Sequence, residues 1–158
     1  MKRPILSLLA LLMLVLGAGE LKAQYRTALG LGIDLGDGQT LVGPQVKHFF
    51  NAKDAGNVQL LFADNHIVLG ADYSYNQPVT GAEGLNWYVG VGPQLSFIDL
   101  GDFGNETYFA IRPALGLEYK IPTAPIGFHF DWKPWWNLSN NSNFEAARFS
   151  IGFKYVLK

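Results

Sequence analysis

The chain has no cysteine. That excludes disulfides, thiolate metal sites, a catalytic Cys and a lipid-modified N-terminal Cys. It is short of charge as well. Only 16% of its 158 residues are charged, where an average soluble domain has about 25%. A formal net charge of −1 offers no basic surface for phosphates, so nucleic acid is excluded as a partner. Beyond residue 23 no apolar run exceeds about eight residues, too short for a transmembrane helix. The helical period is missing too. Apolar and aromatic residues are abundant. With 49% hydrophobic residues and 14% rings, the chain is neither disordered nor a coiled coil.

The first 23 residues read as an export signal. Lys2 and Arg3 form a basic n-region, Ile5 to Leu16 is apolar but for Ser7, and Gly17-Ala18-Gly19 leads to Leu21-Lys22-Ala23. This is the order of n-, h- and c-regions, with cleavage expected after Ala23. The apolar run is too short to span a bilayer. The expected organisation is a cleaved signal peptide, 1–23, and one domain, 24–158. That domain has nine basic and twelve acidic residues, net −3.

Its dominant period is two, the period of strands. In the last segment Ala147, Phe149, Ile151, Phe153, Tyr155 and Leu157 oppose Ala146, Arg148, Ser150, Gly152, Lys154 and Val156. The pattern predicts eight strands, near 25–35, 40–50, 57–63, 66–76, 86–98, 107–121, 126–135 and 146–157. The third, Val58 to Ala63, alternates poorly. Clusters of Gly, Asn, Asp and Pro separate the strands, as at Gly36-Asp37-Gly38 and Pro122 to Pro125.

One face of these strands is bulky and carries no formal charge, with His48 its one ionisable member. The other is rich in glycine and holds Arg26, Asp34, Lys47, Asp72, Arg112, Glu118, Lys120, His129, Asp131, Lys133, Arg148 and Lys154. A soluble, secreted barrel of the lipocalin type would turn the bulky face inward. An eight-strand interior has no room for it. Inverting the barrel places the bulky face against lipid and the small, charged face in a narrow lumen. The sheet must then close, because unpaired backbone groups in hydrocarbon are costly. The predicted fold is all-β, an eight-stranded antiparallel up-and-down transmembrane β-barrel.

With both termini on the periplasmic side, Tyr25, Phe49, Phe50, Tyr73, Tyr75, Trp87, Tyr119 and Tyr155 fall at periplasmic strand ends. Phe62, Phe97, Tyr108, Phe109, Trp132, Trp136 and Phe149 fall at the outer ends. Two belts of rings match the aromatic girdles of membrane barrels. Trp135 and Trp136 have a second reading, as sugar-stacking rings beside Asn137 to Asn143; the girdle is preferred.

Charges confined to a lumen must pair. Strand direction sorts them into two levels. Arg26, Lys47, Asp72, Glu118, Lys120, Lys154 and His129 lie toward the periplasm, and Asp34, Arg112, Asp131, Lys133 and Arg148 toward the outside. The Pro122–Pro125 turn pairs Ile121 with Ile126 and so Glu118 with His129, while barrel closure brings Arg148 near Asp34. Such a network is expected to plug the lumen.

The segment Ser150-Ile151-Gly152-Phe153-Lys154-Tyr155-Val156-Leu157 resembles the last strand of outer-membrane barrels, polar-x-Gly-x-x-aromatic-x-hydrophobic. Ser150, Gly152, Tyr155 and Leu157 carry the pattern, and Lys158 after the terminal hydrophobe departs from it. The domain is similar to the small eight-strand barrels of the OmpA/OmpX class. It looks closest to the "outer membrane protein beta-barrel" families of Gram-negative bacteria, on Gly43 to Phe50, Leu85 to Gly92 and Leu115 to Lys120. The resemblance implies an outer-membrane location and a monomer among outer-membrane lipid. It implies the barrel-assembly machinery and periplasmic chaperones as partners during biogenesis, with no settled activity.

The sharp alternative is a lipid-modifying barrel enzyme of the lipid A deacylase or acyltransferase type. It would need a His, a Ser and an acid near the outer rim. His66 beside Asp64 and Asn65, with Ser139 and Ser142 in the last loop, is the candidate set, but no His-x-Ser pair occurs. His66 reads better as a polar hairpin residue and His129 as a lumen residue. Asp99, Asp102, Asn105 and Glu106 lack the spacing of a calcium loop. Gly90-x-Gly92 precedes no helix and is no phosphate loop. The expectation is a non-enzymatic integral outer-membrane protein, with no catalytic residue, metal or cofactor and a role in envelope structure or surface interaction.

Overall fold

A computed structural model of the chain describes residues 25–36, 38–139 and 142–157. The expected signal peptide and its cleavage position lie outside the described residues. Ten strands follow in order: β1 (Thr27–Gly36), β2 (Gln39–Phe49), β3 (Asp54–Ala63), β4 (His66–Pro78), β5 (Leu85–Asp99), β6 (Asn105–Lys120), β7 (Ile126–Trp132), β8 (Trp135–Asn137), β9 (Asn143–Glu145) and β10 (Phe149–Leu157). Each pairs antiparallel with its neighbour in the chain, except that β7 does not pair with β8 nor β9 with β10; β7 and β10 pair with each other instead. β10 closes the ring by pairing with β1, Thr27 opposite Leu157 and Leu35 opposite Phe149. β1 to β7 and β10 thus form a closed eight-stranded barrel, and β8–β9 is a small hairpin on its rim that extends from β6.

Local sequence accounts for these elements. Alternation with branched and aromatic residues favours strands, and Gly38, Gly81, Gly84, Gly101 and Gly104 adopt the positive φ that turns require. The strand expected over 126–135 stops at Trp132. Pro134 has no N–H to continue the ladder, and the chain resumes pairing with β6 only at Trp136 opposite Ile111. At the other terminus β1 begins at Thr27, after a bend at Arg26.

The barrel is inside out relative to a water-soluble protein. Leu31, Leu115 and Phe130 are 53%, 52% and 53% exposed, whereas Arg112 and Glu118 are 0% and 1% exposed. The lipocalin arrangement, apolar inside, is therefore the reverse of what forms. The interior stays narrow because strands carry glycine toward it. A Cβ on Gly92 would collide with the Ala71 carbonyl, and one on Gly43 with that of Leu60. β3 alternates poorly for a related reason. Leu60 and Phe62 face out while Leu61 faces in, where it packs with Leu41, Val68 and Trp135.

Two end regions follow from the connections. The terminal end carries Tyr25, Leu157 and the turns after β2, β4 and β6. The loop end carries the connections after β1, β3 and β5 and the long 133–148 segment with its β8–β9 hairpin.

Candidate functional site

The lumen gathers nine buried charged side chains, carried on Asp34, Lys47, Asp72, Arg112, Glu118, Asp131, Lys133, Arg148 and Lys154. Glu118, on β6, is buried and accepts from three donors: Tyr25 Oη at 2.6 Å, Lys154 Nζ at 2.7 Å and Lys47 Nζ at 3.1 Å. Lys47 also donates to Asn76 Oδ1 at 2.8 Å and lies 4.8 Å from the ring centroid of Tyr88. Nearer the loop end, Asp34 on β1 accepts from Arg148 Nη2 at 2.5 Å and Nε at 3.0 Å, and it pairs with Arg112. Lys133 pairs with Asp72, and Tyr88 Oη donates to Asp131 Oδ2 at 2.5 Å.

These contacts do not sort into the two levels that strand direction alone predicts. Asp72, expected toward the terminal end, and Lys133, expected toward the loop end, meet in one ion pair. The stagger of strands in a closed barrel shifts height from strand to strand, which a strand-by-strand reading leaves out. Glu118 stands opposite His129 in register, but its carboxylate turns to the two lysines and the tyrosine. His129 instead places Nε2 3.5 Å from Ser150 Oγ. Arg148 reaches Asp34 as the closure implies.

Two expected members lie elsewhere. Arg26 is exposed and Lys120 half-buried, both at the terminal end with no carboxylate within ion-pair distance among the described residues. The bend before β1 exchanges Arg26 with Tyr25, so that Tyr25, expected on the lipid face, turns inward. Phe49 also faces in and meets Tyr25 edge-on, with centroids 5.0 Å apart. Neither ring belongs to a girdle. Tyr25, Ala28, Phe49 and Ala55 instead form an apolar layer across the terminal end of the lumen.

The loop end is lined differently. Trp135 is buried, while Trp136 is 50% exposed. The guanidinium carbon of Arg148 sits 3.6 Å from the Trp135 ring centroid, and that of Arg112 5.3 Å. His66, expected as a polar hairpin residue, is buried too. It meets Trp135 edge-on and bonds Gln39 Oε1 through Nδ1 at 2.6 Å. Its inward position follows from alternation along β4, which continues to Val68 and Gly70. Between the two ends the central lumen keeps a cavity of about 20 Å³, too small for a solute larger than water.

Reading for charges missed the neutral lumen residues, Gln45, Gln59, Asn76, Asn86, Gln94 and Tyr88, all buried. Their position in the alternation was a sufficient signal. Trp135 could also have been placed this way, two residues on from Lys133. Of the C-terminal pattern, Ser150 is buried and Gly152 faces His129, while Tyr155 and Leu157 face outward. Among the described residues no three His, Cys, Asp or Glu side chains are grouped to hold a metal ion. No helix among them is long and apolar enough to cross a membrane, which says nothing of strands.

Similar architecture occurs in solved structures. The N-terminal β-barrel domain of Pseudomonas aeruginosa OprF superposes with a TM-score of 0.66 and 15% identity, over 85% of this chain and all 100% of that one. The fold is that of the small outer-membrane β-barrels. Neisserial surface protein A matches such a barrel less closely, with a TM-score of 0.51 and 14% identity over 83% of this chain and 94% of its own. No protein-family model and no curated protein matches the chain.

Proposed function

We propose that this chain is a non-enzymatic integral protein of the outer membrane, with a sealed polar lumen and a role in envelope structure or surface interaction. The inside-out distribution of side chains carries the proposal. Large apolar side chains cover the outer wall on every strand, which is stable against lipid and not against water. The terminal end, with Tyr25, Leu157 and the turns after β2, β4 and β6, faces the periplasm, and the loop end, with the 133–148 connection and the exposed acids Asp64, Asp99, Asp102 and Glu106, faces outward. Export by the segment 1–23 and insertion by the barrel-assembly machinery, reading Ser150, Gly152, Tyr155 and Leu157, belong to the same proposal.

The placement of the histidines favours this reading over a lipid-modifying enzyme. His66 is engaged by Gln39 and Trp135, and Ser139 Oγ accepts from the Phe109 N–H at 2.8 Å. The Ser150–His129 pair lies inside the lumen, away from any acyl chain. The test is electrophoresis of outer-membrane fractions in SDS with and without boiling. A closed barrel stays folded until heated and changes mobility. Unchanged mobility together with solubility in buffer without detergent would overturn the proposal.

A further inference from the structure

Every described Lys or Arg but two has a polar side-chain partner. Lys47 and Lys154 share Glu118, Arg112 and Arg148 share Asp34, Lys133 has Asp72, and Lys53 Nζ donates to Tyr75 Oη at 3.1 Å. Arg26 and Lys120 are the exceptions among the described residues. They are not scattered. Both line one groove of about 850 Å³ at the terminal end, with the Pro122–Pro125 turn between β6 and β7 and the end of β10. Tyr25, Tyr155 and Leu157 complete its wall.

The groove joins two kinds of surface. Its cations stand at the mouth of the barrel, where a headgroup layer would lie. Tyr155 and Leu157 are 51% and 38% exposed and belong to the apolar outer wall, which would continue into the acyl layer. A ligand that fits has an anionic head and an apolar tail that leaves along the outside of β10. We propose that this groove binds the headgroup of an anionic membrane phospholipid, with Arg26 and Lys120 holding its phosphate. A phosphate between two cations that have no carboxylate partner among the described residues gains charge-assisted hydrogen bonds, and basic groups at a membrane surface attract anionic lipid. The occupant is a lipid of the leaflet at the terminal end, because the groove's lining joins the two cations to Tyr155 and Leu157 of the exposed outer wall. The proposal rests on the membrane-barrel reading above.

The test uses the full chain, processed by its host and reconstituted in phosphatidylcholine vesicles, with spin-labelled phosphatidylglycerol or phosphatidylcholine as probe. The motionally restricted fraction reports lipid at the barrel wall. The wild type is expected to select phosphatidylglycerol several-fold, and the R26A/K120A variant to lose that selectivity while keeping its heat-dependent mobility in SDS. Lys53→Ala removes a cation at the same end that is already held by Tyr75, and selectivity should survive it. Selectivity that persists in R26A/K120A, falls equally in Lys53→Ala, or is abolished by added inorganic phosphate overturns the proposal. Failure of the barrel reading looks different, since the wild type would then restrict neither probe.

Discussion

Arg148 stands over the Trp135 ring, its guanidinium carbon 3.6 Å from the ring centroid, while Nε and Nη2 of the same side chain grip Asp34. One side chain thus ties the charge network to the apolar layer of Leu41, Leu61 and Val68 at the loop end of the lumen. Cation–π contact of this kind contributes about 2 kcal/mol when desolvated. It also orients the guanidinium without using its N–H groups.

Trp135→Ala should therefore cost about 3–5 kcal/mol, the usual range for deleting a buried Trp. The neighbouring Trp136→Ala, on the exposed wall, should cost less. Urea unfolding of the two variants from detergent checks this. Similar midpoints for both would mean that Trp135 does not anchor the loop end.

Carboxylates in the lumen should differ in a fixed order. Asp34 holds two arginines and Glu118 two lysines. Neutralising either leaves buried cations uncompensated, so Asp34→Asn and Glu118→Gln should each cost about 3–5 kcal/mol. Asp131 accepts instead from the Tyr88 phenol. Asp131→Asn should cost about 1–3 kcal/mol, the range for disturbing one buried hydrogen bond. If the three midpoints coincide with wild type, water screens the lumen and the network stabilises nothing. Planar-bilayer recording gives an independent reading: the sealed lumen proposed above, with its central cavity of about 20 Å³, predicts no steady current.

The fold was legible in the sequence because one period ran through nearly the whole domain. Alternation located all eight barrel strands, and the register across the Pro122–Pro125 turn could be counted from Ile121 and Ile126, whose backbone groups bond at 2.9 Å. Alternation also told which face is buried. The interior was less legible, for two physical reasons. Stagger between strands decides which charges share a height, and only closure fixes it, so Asp72 and Lys133 were assigned apart. Ring identity also competed with parity. Their rings suggest girdle positions for Tyr108 and Phe49, yet Phe49 stands two residues from Lys47 and Tyr108 two from Ala110, and Lys47 and Ala110 both face inward. Tyr25 and Arg26 follow neither signal, because β1 starts after them.

The outer wall should show a depth profile. Placing Arg at Leu31, Val91 or Leu115 should cost about 2–4 kcal/mol, and at Thr27 or Phe97, nearer the strand ends, about 0–1 kcal/mol. Folding yields into lipid vesicles and urea midpoints measure it. Uniform tolerance across all five sites would mean that this wall does not meet lipid.

Gly152 separates two explanations of the C-terminal pattern. The resemblance makes it part of a signal for assembly. The structure gives it a local role: a Cβ there would run into the His129 ring and the Gln45 amide. Gly152→Ala should then destabilise the purified barrel by about 1–3 kcal/mol through overpacking. Because the clash is with two nearby side chains, a second substitution that trims the larger of them should couple to the first. His129→Ala in the Gly152→Ala background should recover part of the lost stability during refolding from urea into detergent, where no assembly machinery is present. Full stability of Gly152→Ala in detergent, combined with poor insertion in cells, would assign the glycine to assembly and not to packing.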